Sequence, residues 1–187
     1  MYGYKFLCIR DIQEYSHYLN GADSKKVGRF VRADDRMRAI GSIVLQKEYI
    51  RTNYPTMEYK DIVLQYSDFG KPFYRDLVYN ISHDSDLVII AYSGSGSIGV
   101  DIMKRRDIDI TPYLDCFSIR EQTTLRKSNL ISYWCAKEAF VKKLGVGLSI
   151  NMASIEFIEG AIHYCGMVYP VDFIDIPEYC CVVCFAP

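Results

Sequence analysis

The sequence predicts an α+β fold built from two lobes of similar order, and three observations support this. A strand, a helix and further strands in the first half are followed by a strand, two helices and further strands in the second. A Gly/Ser-rich turn within Gly94–Ile98 separates the two patterns. The chain has 187 residues, 50% of them hydrophobic and 24% charged, which suits a globular protein of two small lobes. We therefore predict lobes at residues 1–95 and 96–187.

In the first lobe the apolar pattern predicts one long helix among short strands. Apolar residues recur at helical spacing through Asp34–Ile50. Short apolar runs predict strands at Tyr4–Ile9, Asp61–Tyr66, Leu77–Ile81 and Leu87–Tyr92. The polar run Ser82–Asp86 is expected to separate the last two strands.

The second lobe is predicted to be richer in helix. Ser118 and Glu121 form a capping box that opens a helix over Ser118–Asn129. A stronger helix, Leu130–Leu144, is expected to stop at Gly145. The predicted strands are Ile98–Met103, Ser154–Ile158, Ala161–Val168 and Tyr179–Phe185, with a turn at Glu159-Gly160.

Charge and composition exclude several classes of protein. The formal net charge is −1, so no overall positive field would attract nucleic acid. No run approaches the ~18 apolar residues of a transmembrane helix, and the N-terminal run Phe6–Ile9 is shorter than that of a secretory signal. Seven cysteines, an odd number, suit a reducing compartment. We expect a cytoplasmic monomer with no nucleic-acid or membrane partner.

Two short motifs have the residue spacing of known binding sites, but the residues around them do not support binding. Gly94–Gly99 has the glycine spacing of the dinucleotide-binding fingerprint, but a strand follows where that motif needs a helix. A hairpin turn is expected there instead. Cys181 and Cys184 have zinc-like spacing without a second pair, so a packed core strand is expected.

Three polar segments remain as candidates for chemistry, and the first contains Asp101. In a strand Asp101 shares a face with Gly99 and Met103, within an otherwise apolar run. A buried carboxylate needs a partner, because burying a lone charge is costly. A hard cation such as Mg²⁺ or a salt bridge would serve, and the residues alone leave both open.

The other two segments lie on the late helix and around a strand end. Glu138 and Lys142 are four residues apart on one helix face, a spacing that is common for solvated pairs worth ~0.2–0.5 kcal/mol. Their place one turn after Trp134, at the edge of an apolar stripe, favours a half-buried position facing another lobe. Lys71 and His83 could clamp phosphates from strand ends, or belong to ordinary loops.

Together these segments resemble the surfactin-synthetase-activating type of 4′-phosphopantetheinyl transferase. The resemblance rests on four motifs: Gly70-Lys71-Pro72, Asn80-Ile81-Ser82-His83, Gly99-Val100-Asp101-Ile102 and Trp134-x-x-Lys137-Glu138-x-x-x-Lys142. Residues 101–104 and 144–148 look closest to the animal branch, the aminoadipate-semialdehyde-dehydrogenase type. The resemblance implies a pseudo-dimer of two α/β lobes with coenzyme A bound in the cleft between them.

The resemblance also implies roles for particular residues. Mg²⁺ is expected on Asp101 and Glu138 together with the diphosphate of coenzyme A, and Lys142 is expected to face the same phosphates. Glu138 is the candidate base, and Lys142 assists the chemistry. The positions that match coenzyme-binding residues of the family are Arg38, Lys71, Ser82 and His83. Met103 stands where bacterial members often carry a further carboxylate, which leaves two protein carboxylates for the ion.

The implied activity is Mg²⁺-dependent transfer of 4′-phosphopantetheine from coenzyme A to a serine of an apo acyl, peptidyl or aminoadipate-pathway carrier protein. Adenosine 3′,5′-bisphosphate would be released. Fatty-acid biosynthesis is one pathway that needs this modification. Two alternatives stay open: a non-catalytic homologue that binds coenzyme A or a carrier protein, and another Mg²⁺-dependent phosphotransferase.

Overall fold

A computed structural model describes residues 1–186, and it confirms the α+β class. The helices are α1 (Gly21–Val27), α2 (Ala33–Asn53), α3 (Ile119–Thr124) and α4 (Leu130–Leu144). The strands of the first half are β1 (Tyr2–Cys8), β2 (Gln65–Tyr66), β3 (Pro72–Phe73), β4 (Val78–Asp84) and β5 (Leu87–Ser93). Those of the second half are β6 (Ile98–Lys104), β7 (Glu156–Ile158), β8 (Ala161–Tyr164), β9 (Met167–Ile174) and β10 (Tyr179–Phe185).

Each half of the chain builds its own antiparallel sheet. The first sheet has the order β1-β5-β4, and the second has the order β6-β10-β9-β8-β7. Strands β2 and β3 form a separate short ribbon. No strand of either main sheet crosses residue 95, although the division into lobes 1–95 and 96–187 stays a prediction.

The two sheets and the two long helices stack in four layers. Alternate residues of β5 explain the order, because Val88 and Ile90 pack with α2 whereas Ile89 and Ala91 pack against the second sheet. Alternate residues of β10 also pack on opposite sides of its sheet. Its residue Val183 faces the first sheet, and its remaining face packs on α4. Both of these interior strands, β5 and β10, are therefore apolar on both faces.

Helix α4 follows the predicted boundaries closely. It runs over Leu130–Leu144 and ends at Gly145, whose φ of 73° lies in the left-handed region that glycine tolerates. Helix α2 extends the predicted Asp34–Ile50 at both ends. Within residues 1–186 no helix is both long and apolar enough to span a membrane.

Several sequence predictions of local structure were wrong. Only Ser85-Asp86, and not the whole run Ser82–Asp86, separates the two strands, since β4 continues through Asp84. Helix α3 ends at Thr124 and does not reach Asn129. Only the last two residues of the predicted strand Asp61–Tyr66 are extended in a ribbon. The region Ala161–Val168 is not one strand, since a turn at Cys165-Gly166 separates β8 from the start of β9.

The two motifs that were rejected as binding sites are parts of the framework of the fold. A strand does follow Gly94–Gly99 directly, but the turn joins the two sheets and is not a hairpin, because β5 and β6 have different partners. Cys181 and Cys184 are buried in β10, as expected. Among residues 1–186, no group of three or more His, Cys, Asp or Glu side chains is arranged to hold a metal ion.

Candidate active site

A close approach of α4 to β6 brings the predicted residues of the second half together. A Cβ atom built on Gly99 would lie 2.0 Å from the carbonyl oxygen of Ala139 and 2.3 Å from the amide nitrogen of Lys143. Only glycine leaves room for the helix backbone at this position. Asp101, two residues later on the same face, therefore lies within reach of α4.

Asp101, Ser82 and Lys142 form a closed triangle of hydrogen bonds. The Nζ atom of Lys142 lies 2.6 Å from Asp101 Oδ1 and donates to Ser82 Oγ at 2.7 Å. Ser82 Oγ in turn donates to Asp101 Oδ1 at 3.0 Å. Asp101 and Ser82 are buried, and the Lys142 side chain is 29% exposed. Three elements, β4, β6 and α4, thus meet at one carboxylate.

Glu138 lies one helical turn before Lys142 and faces the same space. Burial first, and then the negative charge of Asp101, raise the pKa of Glu138, while Lys142 lowers it. Asp101 and Glu138 line the same cavity. Glu138 is half-buried, which is the position predicted from the edge of the apolar stripe.

The three groups line a cleft between the two halves. The main cavity has a volume of about 480 Å³, and its walls include Ser82, His83, Asp101, Glu138 and Lys142. A second cavity of about 260 Å³ is lined by Lys71 and shares Ile81, Glu138 and Lys142 with the first. The two cavities form one groove, with Glu138 and Lys142 at its middle.

His83 stands at the mouth of the main cavity. It is solvent-exposed, but the cleft walls still desolvate its imidazole, and this is the first cause of its lowered pKa. The nearby cations Lys142 and Arg38 lower the pKa of His83 further. In the free chain His83 is therefore a neutral donor and acceptor at pH 7, and does not add positive charge.

Lys71 crosses from the first half to the end of α4. Its Nζ atom donates to the carbonyl oxygens of Lys143 at 2.8 Å and Ile98 at 3.3 Å. Burial, and secondly the charge of Lys143, lower the pKa of Lys71 to about 8. Lys71 thus lines the second cavity with an ammonium group that is easily neutralised.

Arg38 lies outside the walls of both cavities. Its guanidinium pairs with Asp35 and donates to the carbonyl oxygen of Ser85 at 2.8 Å. It is close enough to influence the pKa of His83. Its predicted contact with a coenzyme phosphate would require these bonds to rearrange.

Sequence reasoning missed several residues of the main cavity, among them Lys26 and Tyr66. The Lys26 Nζ atom lies 3.9 Å from the centre of the Tyr66 ring, and both residues line the cavity wall. Lys26 belongs to α1, which was not predicted. Asn20 and Asp23 form a capping box of unusual composition at its start, and that pair was the available signal.

Lys137 belongs to the helix motif but faces away from the cleft. Its Nζ atom lies 2.6 Å from Glu121 Oε2, and both side chains are fully buried. It also donates to the carbonyl oxygens of Cys116 and Met152. The motif therefore combines cleft residues with an internal ion pair that fastens α4 to α3 and the loop before β7.

Comparison with known proteins matches both halves of the chain. Residues 9–95 match the family described as 4′-phosphopantetheinyl transferase, N-terminal, and residues 97–177 match the 4′-phosphopantetheinyl transferase superfamily. The 4′-phosphopantetheinyl transferase Sfp of Bacillus subtilis (strain 168) is 30% identical over 176 residues, covering 89% of this chain and 75% of that protein. The chain belongs to the 4′-phosphopantetheinyl transferase family.

Animal phosphopantetheinyl transferases are also similar to the chain. The L-aminoadipate-semialdehyde dehydrogenase-phosphopantetheinyl transferase of Xenopus laevis is 26% identical over 175 residues, covering 81% of this chain and 55% of that protein. The human protein of the same name is 26% identical over 176 residues. The chain spans about half the length of these animal relatives.

Proposed function

We propose that the chain transfers the 4′-phosphopantetheine group of coenzyme A to a serine hydroxyl of an apo carrier protein. The serine oxygen forms a bond to the phosphorus next to the pantetheine arm. The bond from that phosphorus to the bridging oxygen breaks, and adenosine 3′,5′-bisphosphate leaves. The single observation that carries the proposal is the groove that Glu138 lines together with the hydrogen-bonded Asp101, Ser82 and Lys142.

Lys142 is proposed to neutralise charge that develops on the diphosphate. Its ammonium already lies in the groove, on a helix that packs directly against β6. A positioned cation in a partly dry site stabilises such charge more than it would in water. Ser82 and neutral His83 would add hydrogen bonds to coenzyme A, with Lys71 at the second cavity.

Glu138 is proposed to accept the proton of the attacking serine. In the metal-free chain burial beside Asp101 raises the pKa of Glu138, so its carboxylate takes up a proton more readily than an exposed one. Above that pKa the carboxylate is free to take the proton. Glu138 lies at the middle of the groove, so the acceptor serine of the carrier would approach it from the open side.

The donor set of the groove fits a magnesium ion. Asp101 and Glu138 supply oxygen ligands, which Mg²⁺ prefers, and with Lys142 they leave one unbalanced negative charge. We propose that these two carboxylates hold the ion, with phosphate or water oxygens completing its shell. When bound, the ion would offset the negative charge of the diphosphate.

The proposed protein partner is acidic around its acceptor serine. Arg106 is exposed and lines the main cavity, and further basic residues, all exposed, are Arg105, Arg120, Arg126 and Lys127. Such a basic lip would steer an acidic carrier to the groove. Carriers of fatty-acid or aminoadipate pathways are the proposed classes. We also propose that the chain is cytoplasmic, because an odd number of cysteines suits a reducing compartment, and that it acts as a monomer.

Incubation with coenzyme A, Mg²⁺ and several apo carrier proteins tests the proposal. Intact-mass measurement should show a gain of one phosphopantetheine on at least one carrier. Glu138→Gln should abolish the gain, whereas the matched change Glu58→Gln, at an exposed site, should not.

Each negative result has a defined meaning. Binding of coenzyme A without mass gain on any carrier would favour a non-catalytic binding protein. Normal transfer by Glu138→Gln would remove Glu138 from the role of base. Turnover of coenzyme A without a carrier would point to another phosphotransferase.

A further inference from the structure

The outer edge of β6 is hydrogen-bonded to side chains instead of to a strand. The amide of Val100 donates to Asn80 Oδ1 at 3.0 Å, that of Ile102 to Ser82 Oγ at 3.4 Å, and that of Lys104 to Asp84 Oδ2 at 2.7 Å. The donors are every second residue of β6 and the acceptors are every second residue of β4, because successive residues of a strand point to opposite sides. We name these three bonds the side-chain ladder.

The side-chain ladder joins the two halves of the chain. Its acceptors lie on β4 in the first sheet, and its donors lie on β6, whose other edge pairs with β10 in the second sheet. Asn80 and Ser82 are buried, as are Val100 and Ile102. An amide left without a partner at such a place costs about 1–3 kcal/mol. The ladder therefore fixes the distance between β4 and β6.

Asp101 lies between the first two bonds of the ladder. The amides on either side of it, at Val100 and Ile102, are both fixed to β4. Ser82 takes part in the ladder and in the triangle with Lys142, so the two networks share an atom. A shift of β6 relative to β4 would move the Asp101 carboxylate away from Ser82.

We propose that Asn80 and Asp84 are positioning residues for the transfer reaction, acting through β6 on Asp101. This inference rests on the proposed function. Asn80 anchors the residue next to Asp101, whereas Asp84 anchors a residue three positions away. The effect of losing Asn80 should therefore exceed the effect of losing Asp84.

The test compares Asn80→Leu and Asp84→Leu with a control of similar chemistry outside the ladder. Asn151→Leu serves as the control, because Asn151 Oδ1 also accepts a hydrogen bond from a backbone amide, that of Ala153, in the turn before β7, and β7 and β6 are the opposite edges of the second sheet. Asn80→Asp keeps an oxygen at the acceptor position. The chains are compared at a temperature at which all are folded.

Asn80→Leu should lower kcat on the order of 10- to 100-fold, as expected for a small misplacement of a reacting group. The KM for coenzyme A should change much less, and Asp84→Leu should have a smaller effect. Hydrogen exchange at the Val100 amide should accelerate in Asn80→Leu. Asn80→Asp should restore both the protection and most of kcat.

Two results would overturn the inference. One is a kcat of Asn80→Leu within about twofold of that of Asn151→Leu, a difference too small for a positioning role. The other is unchanged exchange at Val100. An unmodified carrier with the wild-type chain would instead refute the proposed function, and exchange at Val100 would still decide whether Asn80 holds β6.

Discussion

Replacing Gly99 with alanine tests whether the contact between α4 and β6 sets the geometry of the groove. The added Cβ atom would lie 2.0 Å from a backbone oxygen and 2.3 Å from a backbone nitrogen. Real Cβ contacts are essentially never shorter than 3.0 Å, so α4 must retreat by about 1 Å. Backbone atoms cannot rotate away as a flexible side chain can.

The displacement of α4 determines how much stability and how much transfer rate should be lost. Inserting a methyl group into a packed contact typically costs about 1–3 kcal/mol. For a chain of this size each kcal/mol lowers Tm by about 2–4 °C. Glu138 and Lys142 move with the helix, away from Asp101, and a misplacement of about 1 Å can reduce a rate ~100-fold. Transfer should therefore fall about 100-fold, while Tm falls by about 2–12 °C.

The assay measures Tm and carrier modification for the variant and a matched control. Gly94→Ala is the control, since its Cβ would have no atom within 4 Å. Its effect on unfolding should stay within about 0.5 kcal/mol. If Gly99→Ala transfers phosphopantetheine at the control rate, the close approach of α4 does not determine the site.

Three further substitutions give separate tests. Lys137→Met should cost about 3–5 kcal/mol in denaturant unfolding, because it leaves Glu121 buried without its cation. Lys71 loses its charge as the pH rises through about 8, so kcat/KM for coenzyme A should fall above that pH, and Lys71→Arg should remove the fall. Burial beside Asp101 raises the pKa of Glu138, so the folded chain binds this proton more tightly than the unfolded chain and loses stability as the pH rises. Glu138→Gln, measured without metal, should therefore raise Tm at pH 8, and the gain should vanish towards pH 4.5.

Turn chemistry shows how far the sequence predicted the fold. Glu159-Gly160 was recognised as a turn, and both residues have positive φ. Cys165-Gly166 has the same backbone pattern, with φ of 49° and 76°, but was assigned to a strand. Neither residue is the Asn or Asp that usually precedes glycine in such turns, but the charged Glu159 interrupts the apolar run whereas Cys165 continues it. The hairpin of β8 and β9 was missed for that reason.

Strand β4 shows why part of the site was also missed. Its polar residues were predicted to end the strand, because hydrophobic alternation stops at Ser82. The structure satisfies those side chains with amides of β6, a partner about 20 residues later. Periodicity within one segment cannot detect a bond to another sheet. The grouping of Asp101, Glu138 and Lys142 was predicted, because their motifs were matched together.

The place of β10 between β6 and β9 has a consequence for folding during synthesis. β6 pairs with β10 about 80 residues further on, so it remains without that neighbour until Tyr179–Phe185 has left the ribosome. Closing so long a loop costs entropy before any contact repays it. A nascent chain must therefore keep the apolar β6 from aggregating, and the arrival of β10 is expected to be its slow folding step.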